Sequence, residues 1–433
     1  MWFCAFNPHA GFGLDGWSGP RTGTGYEWTT PELWQDMAVA LERAKFDLIM
    51  LGDSLAVPAT YQGRMDAYLR YAEHAPFHDP GPLVAVMAAV TRRIGLAATL
   101  STTFYPPYLL ARLMATLDHL SRGRVAWNVV TSYKVEEALN FGYRELLDHD
   151  QRYDRADEYM ELCYRLWSSW EPGAVVMDAR TDTFADASKV RPIDFDGTYY
   201  RSRGPLSATP SPQGRPVIIQ AGASDRGQDF AARHAEAIIV PRETIDEMKR
   251  YYDQFKARVK KHGRDPDECK VFFLSKPIIA DTDDEAQRRV DELCAKAPVE
   301  AGLASLSTML QMDLSAFDLD KPLPGAIETR AIQGIRSQLD QFYVSGRTPT
   351  LGDIARRKVS IDSKAYIGTP EHVADELART IDAVGGDGFA IRQGMWPGYV
   401  GPFVDQVVPL LQKRGAVRTE YAGTTLREHL LEF

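Results

Sequence analysis

The chain has 433 residues, 44% of them apolar and 25% charged, a composition that suits one large soluble domain or two or three small ones and supplies a sizeable core. A formal charge of −9 and a pI near 5.6 leave no basic footprint for nucleic acid or an anionic membrane surface, so neither partner is expected. No apolar window approaches the roughly 18 to 20 residues of a bilayer span, the opening "MWFCAFNPHAG" lacks a positive n-region ahead of a long apolar run, and Cys4, Cys163, Cys269 and Cys294 form no Cys-x-x-Cys pair; a cytoplasmic protein with no metal site is expected.

Short apolar runs bounded by turn signals alternate with stretches of helical period. The first run is "WFCAFN" (2 to 7), after which Thr30-Pro31 opens the helical pattern "ELWQDMAVALERA". Three more follow as "FDLIML" (46 to 51), "IGLAATLS" (94 to 101) and "VAWNVVTS" (125 to 132). The remaining four are "VIIQAG" (217 to 222), "AIIV" (237 to 240), "VFFLSKPII" (271 to 279) and "DGFAIR" (387 to 392). Thr282 with Glu285 reads as a capping box, and Thr369-Pro370 opens "EHVADELARTIDAV", which Gly385 and Gly386 stop. Strands apolar on both faces need helices over both, which means a parallel sheet. Eight such units predict an α/β fold of the (β/α)8 TIM barrel type. A doubly wound open sheet is the alternative, but it does not need the eighth strand.

Residues 55 to 81, 171 to 215 and 298 to 366 are too long for simple connections and are expected as insertions over the C-terminal mouth. The third contains a helical piece, "AIQGIRSQLDQFY", that reads as a lid, with a peripheral or oligomer-contact insertion as the other reading.

In such barrels chemistry gathers where strands end. Strand one leads into Asn7, Pro8 and His9, and strand two into Gly52, Asp53 and Ser54. Strand three ends through Thr99, Ser101 and Thr102, and strand four carries Asn128, Thr131 and Ser132. Strand five delivers "VIIQAGASDRGQDFAARHA", a strand, small-residue turn and helix start of the kind in which free N–H groups and the positive helix end hold phosphate. It is neither Gly-x-Gly-x-x-Gly nor a P-loop, and taken alone it is equally an ordinary β-to-α turn. The helix in "LLDHDQRYDRADEYMELCYRLW" has Ala156, Met160, Cys163 and Trp167 as its apolar stripe and starts with His149 and Tyr153. Two adjacent helix starts would offer N–H groups, a phenol, an imidazole and the Ser224 hydroxyl to one dianion. Singly, Tyr153 reads as a core tyrosine and His149 as a cap or surface residue.

Competing chemistries leave poorer traces. A metal hydrolase barrel wants His-x-His on its first strand, where only His9 stands. There is no Gly-x-Ser-x-Gly elbow, and of a glycosidase's two strand-end carboxylates only Asp53 is well placed.

The segments "TLDHLSRGRVAWNVVTS", "HDQRYDRADEYMEL", "RGPLSATPSPQGRPVIIQAGASDRGQDFAARHAEAI", "DLDKPLP" and "VVPLLQKRGAVRTEYAGTTLREHL" together resemble the flavin-dependent monooxygenases related to bacterial luciferase. The branch is that of nitrilotriacetate monooxygenase component A and dibenzothiophene-sulfone monooxygenase. This resemblance runs through nearly the whole chain and implies one luciferase-like barrel domain over residues 1 to 433. It implies reduced FMN and O2 as cofactors, a C4a-peroxyflavin that oxygenates a small organic substrate with C–S or C–N cleavage, and a separate NAD(P)H-dependent flavin reductase. A homodimer or homotetramer is also implied.

The same resemblance places Asp53 near the flavin ring, Thr99 first and Ser101 next as the hydroxyl ending strand three, and His149, Tyr153 and Ser224 around the phosphate. Asn128 approaches the ring or the substrate, and His9 and Asn128 are the catalytic candidates, His9 as a proton donor; a buried histidine bonded to backbone is its other reading. Where the branch often carries Trp-Arg-x-Pro, this chain reads "GWSGPRTGTGYEW" with its arginine displaced to Arg21, which leaves the substrate unassigned. A peroxyflavin needs a dry site, for which Phe6, Phe104, Tyr105, Met395 and Trp396 are candidate walls, and Arg21, Arg64 or Arg392 are candidates to hold an acidic substrate. The rivals are a deazaflavin-dependent dehydrogenase of the same superfamily, a non-catalytic flavin-binding protein and a metal-dependent barrel hydrolase.

Overall fold

The computed structural model describes residues 3–8, 28–222, 224–322, 349–394 and 397–432. His9, Arg21, Met395, Trp396, the side chain of Phe6 and the helical piece 331–343 lie outside the described residues.

All eight apolar runs form strands: β1 Phe3–Pro8, β2 Leu48–Leu51, β3 Gly95–Ser101, β4 Val125–Val130, β5 Val217–Gln220, β6 Ala237–Val240, β7 Lys270–Ile279 and β8 Gly388–Gln393. Each pairs in parallel with its neighbour in the chain, and β8 pairs with β1 from Phe3↔Gly388 to Pro8↔Gln393, so the sheet closes into a barrel. The open-sheet alternative therefore falls. Two strands end earlier than their apolar runs. Beyond Gln220 the chain already turns, with the Gly222 N–H donating to Gln220 Oε1 at 2.7 Å, and beyond Val130 Ser132 takes a φ of 60° that breaks the extended path.

Helices cover the outer face: α1 Pro31–Arg43, α2 Pro80–Val90, α3 Pro107–Ser121, α4 His149–Trp167, α5 Asp225–His234, α6 Ile245–Lys261 and α7 Pro370–Val384. Their starts follow local chemistry. Thr369 caps α7 by accepting from the His372 N–H, Pro370 fills the first turn, and Gly385 ends the helix at a φ of 72°. The expected box at Thr282 is half built: its hydroxyl accepts from the Glu285 N–H, but the Glu285 carboxylate accepts from Arg289 instead. After β8 the helix passes through one π turn, Phe403–Val407, just before Pro409, which has no N–H to continue the regular ladder.

Two apolar layers result. Leu48, Met50, Ala97, Ala126, Ile219, Ile239, Leu274 and Ala390 fill the barrel interior, and the alternate residues of the same strands pack against the helices. The C-terminal tail closes the opposite end. Leu426 and Leu430 of the helix Leu426–Leu430 enter the interior cluster, while buried Arg418 donates to Asp47 at 2.8 Å and Arg427 donates to Glu236 at 2.5 Å.

The segments after β2 and β7 leave the C-terminal ends of their strands, whereas residues 171–215, expected over the mouth as well, join the end of α4 to the start of β5 and place Gln213 Nε2 3.0 Å from the Val125 carbonyl at the start of β4; all three hold structure that alternation did not reveal. Residues 171–215 form two hairpins, Val175–Asp178 with Thr183–Ala185 and Phe195–Asp196 with Arg201–Ser202. Residues 298–366 contain the helices Val299–Leu310 and Leu351–Ser360 and run into a ninth parallel strand, Lys364–Gly368, which pairs with Ser275–Ile279, the second half of β7. The two helices and the helix Asp66–Tyr71 of the β2 segment share a second apolar cluster. Tyr68 ties them together: its hydroxyl donates to the Ala304 carbonyl at 3.0 Å and accepts from the Thr308 hydroxyl at 2.8 Å. Among the described residues no helix is long and apolar enough to cross a membrane.

Candidate active site

The mouth begins where strand periodicity places polar groups inward. Thr99 stands two residues beyond Ala97 and Asn128 two beyond Ala126, so both continue the interior face towards the C-terminal rim. They are register partners on β3 and β4. Asn128 Nδ2 donates to Thr99 Oγ1 at 2.8 Å, and Thr99 Oγ1 donates to the Leu51 carbonyl on β2 at 2.6 Å. Asn128 is 4% exposed, yet among the described residues its Oδ1 has no hydrogen-bond partner. Leaving a buried acceptor unpaired costs about 1–3 kcal/mol, so an arrangement that keeps one calls for a ligand that donates to it. Ser101, on the same face, is engaged with Ser132, their hydroxyls 2.8 Å apart.

A second polar group lies at the starts of α4 and α5. His149 opens α4 and Ser224 caps α5, and His149 Nε2 lies 3.2 Å from Ser224 Oγ. Ser224 Oγ accepts from the Gly227 N–H at 3.1 Å. Tyr153, one turn into α4, accepts from Gln220 Nε2 at 3.3 Å. Burial pushes its phenol up, against the opposing Arg152 charge and the Thr131, Gln220 and Ser224 contacts. A Cβ added at Gly227 would lie 2.7 Å from the Tyr153 hydroxyl and 3.0 Å from Ser224 Oγ, so the glycine keeps this cradle open. Arg226, at the second position of α5, lies 5.6 Å from the Tyr153 ring centroid and pairs with Asp154 and Asp157, and its Nη1 is buried with no partner among the described residues. Two helix ends, two hydroxyls, an imidazole and a guanidinium fit a phosphate dianion.

Gln220, Arg226 and Gly227 did not stand out in sequence. The arginine carried the one available signal, a cation set against the unfavourable positive end of a helix.

The third group follows β2. Asp53 accepts from the Ser54 N–H at 2.7 Å. Its carboxyl is pushed up to about 7, first by burial, then by the nearby charges of Asp79 and Glu137, with the Ser54 N–H and Lys134 opposing. Asp53 keeps some exposed surface, but the residues around its carboxyl are dense enough for burial to be the largest cause of the shift. Lys134, another residue the sequence did not flag, is buried; it donates to Ser54 Oγ at 2.5 Å and pairs with Glu137 at 3.6 Å. Burial pulls its ammonium down while Glu137 holds it charged. Asn128, Thr99, Asp53 and the His149–Ser224 pair thus all stand at the C-terminal parts of strands or at the helix starts that follow them.

Walls and outliers sort as follows. Phe104 is buried and stacks on Phe141 at 4.7 Å. The Tyr105 phenol is pushed up to about 12 by burial, then by the charges of Asp79 and Asp53. Arg392 continues the inward face of β8 beyond Ala390 and pairs with Asp362 at 2.7 Å. Arg64 is exposed and pairs with Asp66 at 2.8 Å, the surface role that is its other reading.

Residues 15–387 match the family described as luciferase-like monooxygenase. The chain belongs to that family. It is a flavin-dependent monooxygenase of the luciferase-like barrel type. A dibenzothiophene-sulfone monooxygenase of Rhodococcus erythropolis is 42% identical over 416 residues, covering 95% of this chain and 92% of its own. Nitrilotriacetate monooxygenase component A of Aminobacter aminovorans is 36% identical, covering 93% and 90%. Among solved structures, a riboflavin lyase crystallised with modified FMN and riboflavin superposes with a TM-score of 0.90 at 32% identity, covering 100% of this chain and 96% of the other.

Proposed function

We propose that the chain is the oxygenating component of a two-component system, taking reduced FMN from a separate NAD(P)H-dependent flavin reductase and placing one atom of O2 in a small organic substrate. Reduced FMN, when bound, supplies the two electrons: substrate, O2 and FMNH2 give oxygenated substrate, water and FMN. The observation that carries the reading is the cradle of His149, Tyr153, Ser224 and the Gly227 turn, built from two helix starts and sized by a glycine for an anion. Asn128 Oδ1 would offer an acceptor to the flavin ring, and Asp53, its carboxyl raised to about 7 by burial, would stand near that ring.

The described side chains bind, orient and exclude water. Lys134, Ser54 and Glu137 fix the loop that carries Asp53, and the segments after β2 and β7 join over the strand ends and keep the site dry. His9 is assigned the proton-donor role on sequence grounds. The names of the relatives, sulfone, dimethyl-sulfide and nitrilotriacetate monooxygenases, support an organosulfur or amine substrate cleaved at C–S or C–N. That one relative is named as component A supports a separate reductase. A cytoplasmic homodimer or homotetramer completes the reading.

The test supplies purified chain with a generic flavin reductase, NAD(P)H and oxygen-18 gas over a panel of sulfides, sulfones and aminopolycarboxylates. One labelled oxygen in the product, dependent on the reductase, is expected. Oxidation of NADH by the chain alone, or product without label, would reject the scheme.

A further inference from the structure

The arrangement around Asn128 determines which way its amide faces. A backbone carbonyl can only accept, so the single proton of the Thr99 hydroxyl, 2.6 Å from the Leu51 oxygen, is used there. Thr99 Oγ1 can then offer only lone pairs to Asn128, 2.8 Å away, and the atom facing it must be the NH2 group. The amide oxygen therefore faces the other way, buried and, among the described residues, without a partner on the inward face of β4 near the rim. That oxygen is a fixed acceptor, and it can be satisfied only by a donor.

Resting on the reading of this mouth as a reduced-FMN site, we infer that Asn128 Oδ1, locked by Thr99, receives the flavin N5–H and makes the site prefer FMNH2 to FMN. Flavin chemistry separates the two ring donors that could meet this oxygen, N3–H and N5–H. N3 carries a hydrogen in both redox states, whereas N5 carries one only when reduced and presents a lone pair when oxidised. An amide oxygen facing N5 accepts from the reduced ring and repels the oxidised one. Thr99 is then a positioning residue: it touches Asn128 and strand β2, and it acts through the orientation it imposes.

The experiment measures the dissociation constants of FMN and, anaerobically, of FMNH2, together with the midpoint potential of bound flavin, for the wild type, Thr99→Val, Thr99→Ser and Asn128→Ala. Thr99→Val, close to isosteric, releases the amide to turn over. It is expected to weaken FMNH2 by about tenfold while changing FMN by less than about twofold. A tenfold selective loss lowers the two-electron midpoint potential by about 30 mV. Thr99→Ser, which keeps the hydroxyl, is expected to restore both values, and Asn128→Ala is expected to reproduce the selective loss independently. Equal weakening of both redox forms, which would indicate contact with N3–H, or no change in either variant, would overturn the inference. If the wild type bound neither form, the flavin reading itself would fail; if it bound both forms through the phosphate cradle with Thr99 and Asn128 indifferent, only this inference would.

Discussion

The Asp53 carboxyl is held up to about 7 by burial first and then by Asp79 and Glu137, against an ordinary value of 3.8. Because its pKa is higher folded than unfolded, the folded protein binds the extra proton. Its contribution to stability is therefore fully present below about 4 and is lost as pH rises through about 7. Above that pH the ionised group is a buried charge facing other carboxylates. Asp53→Asn removes the charge, so the variant should gain thermal stability relative to the wild type as pH is raised from about 5 to about 8. Paired melting curves at the two pH values check this. An Asp53→Asn difference that is the same at both would show that Asp53 titrates as an ordinary surface acid.

At the scale of elements, the cover over the mouth depends on one crossing. Gly302 of the helix Val299–Leu310 lies so close to the helix Leu351–Ser360 that an added Cβ would fall 1.9 Å from the Ala355 carbonyl oxygen, a backbone atom that cannot swing away. Gly302→Ala should force these helices apart, costing about 1–3 kcal/mol, and should let water reach the site. We expect a lower melting temperature and a larger share of O2 released as hydrogen peroxide, with FMN affinity little changed; unchanged stability and coupling would show that the cover adjusts freely.

The barrel strands were legible because each is a short run buried on both faces, as β2, β3, β6 and β7 are throughout. The ninth strand was not. Of Lys364–Gly368 only Tyr366 and Gly368 are buried, so no apolar run marks it. The hairpin Val175–Asp178 with Thr183–Ala185 is similarly masked, since its apolar residues Val176, Met177 and Phe184 are exposed and its strands short. In the site, Asp53, Asn128, Thr99, Tyr153 and Ser224 were readable as polar residues at strand ends or helix starts. The Leu51–Thr99–Asn128 chain was not, because it depends on the lateral register of three strands that the sequence keeps far apart.

Over the whole molecule, closure of the sheet turns separate strand ends into one mouth. The order β3, β4, β5 places the Thr99 and Asn128 pair next to the strand that leads into the Ser224 turn, and α4 brings His149 and Tyr153 against the same turn. The C-terminal tail seals the far end, so a ligand has access from the mouth side. A molecule with an anionic tail at α4 and α5 and a flat polar ring towards β2, β3 and β4 suits this layout, and in the function proposed above the phosphate end is its anchor. Comparing FMN with riboflavin isolates that phosphate, since the two differ in nothing else. Each charge-assisted hydrogen bond in the cradle contributes about 1.5–3 kcal/mol, so the wild type should bind FMN more tightly than riboflavin by at least about tenfold. The decisive measurement is the ratio of these two dissociation constants in the wild type, in Gly227→Ala and in the Tyr153→Phe/Ser224→Ala double variant. The ratio should fall towards one in both variants while riboflavin binding stays nearly constant; a ratio near one in the wild type, or one that survives both changes, would place the phosphate elsewhere and contradict the account.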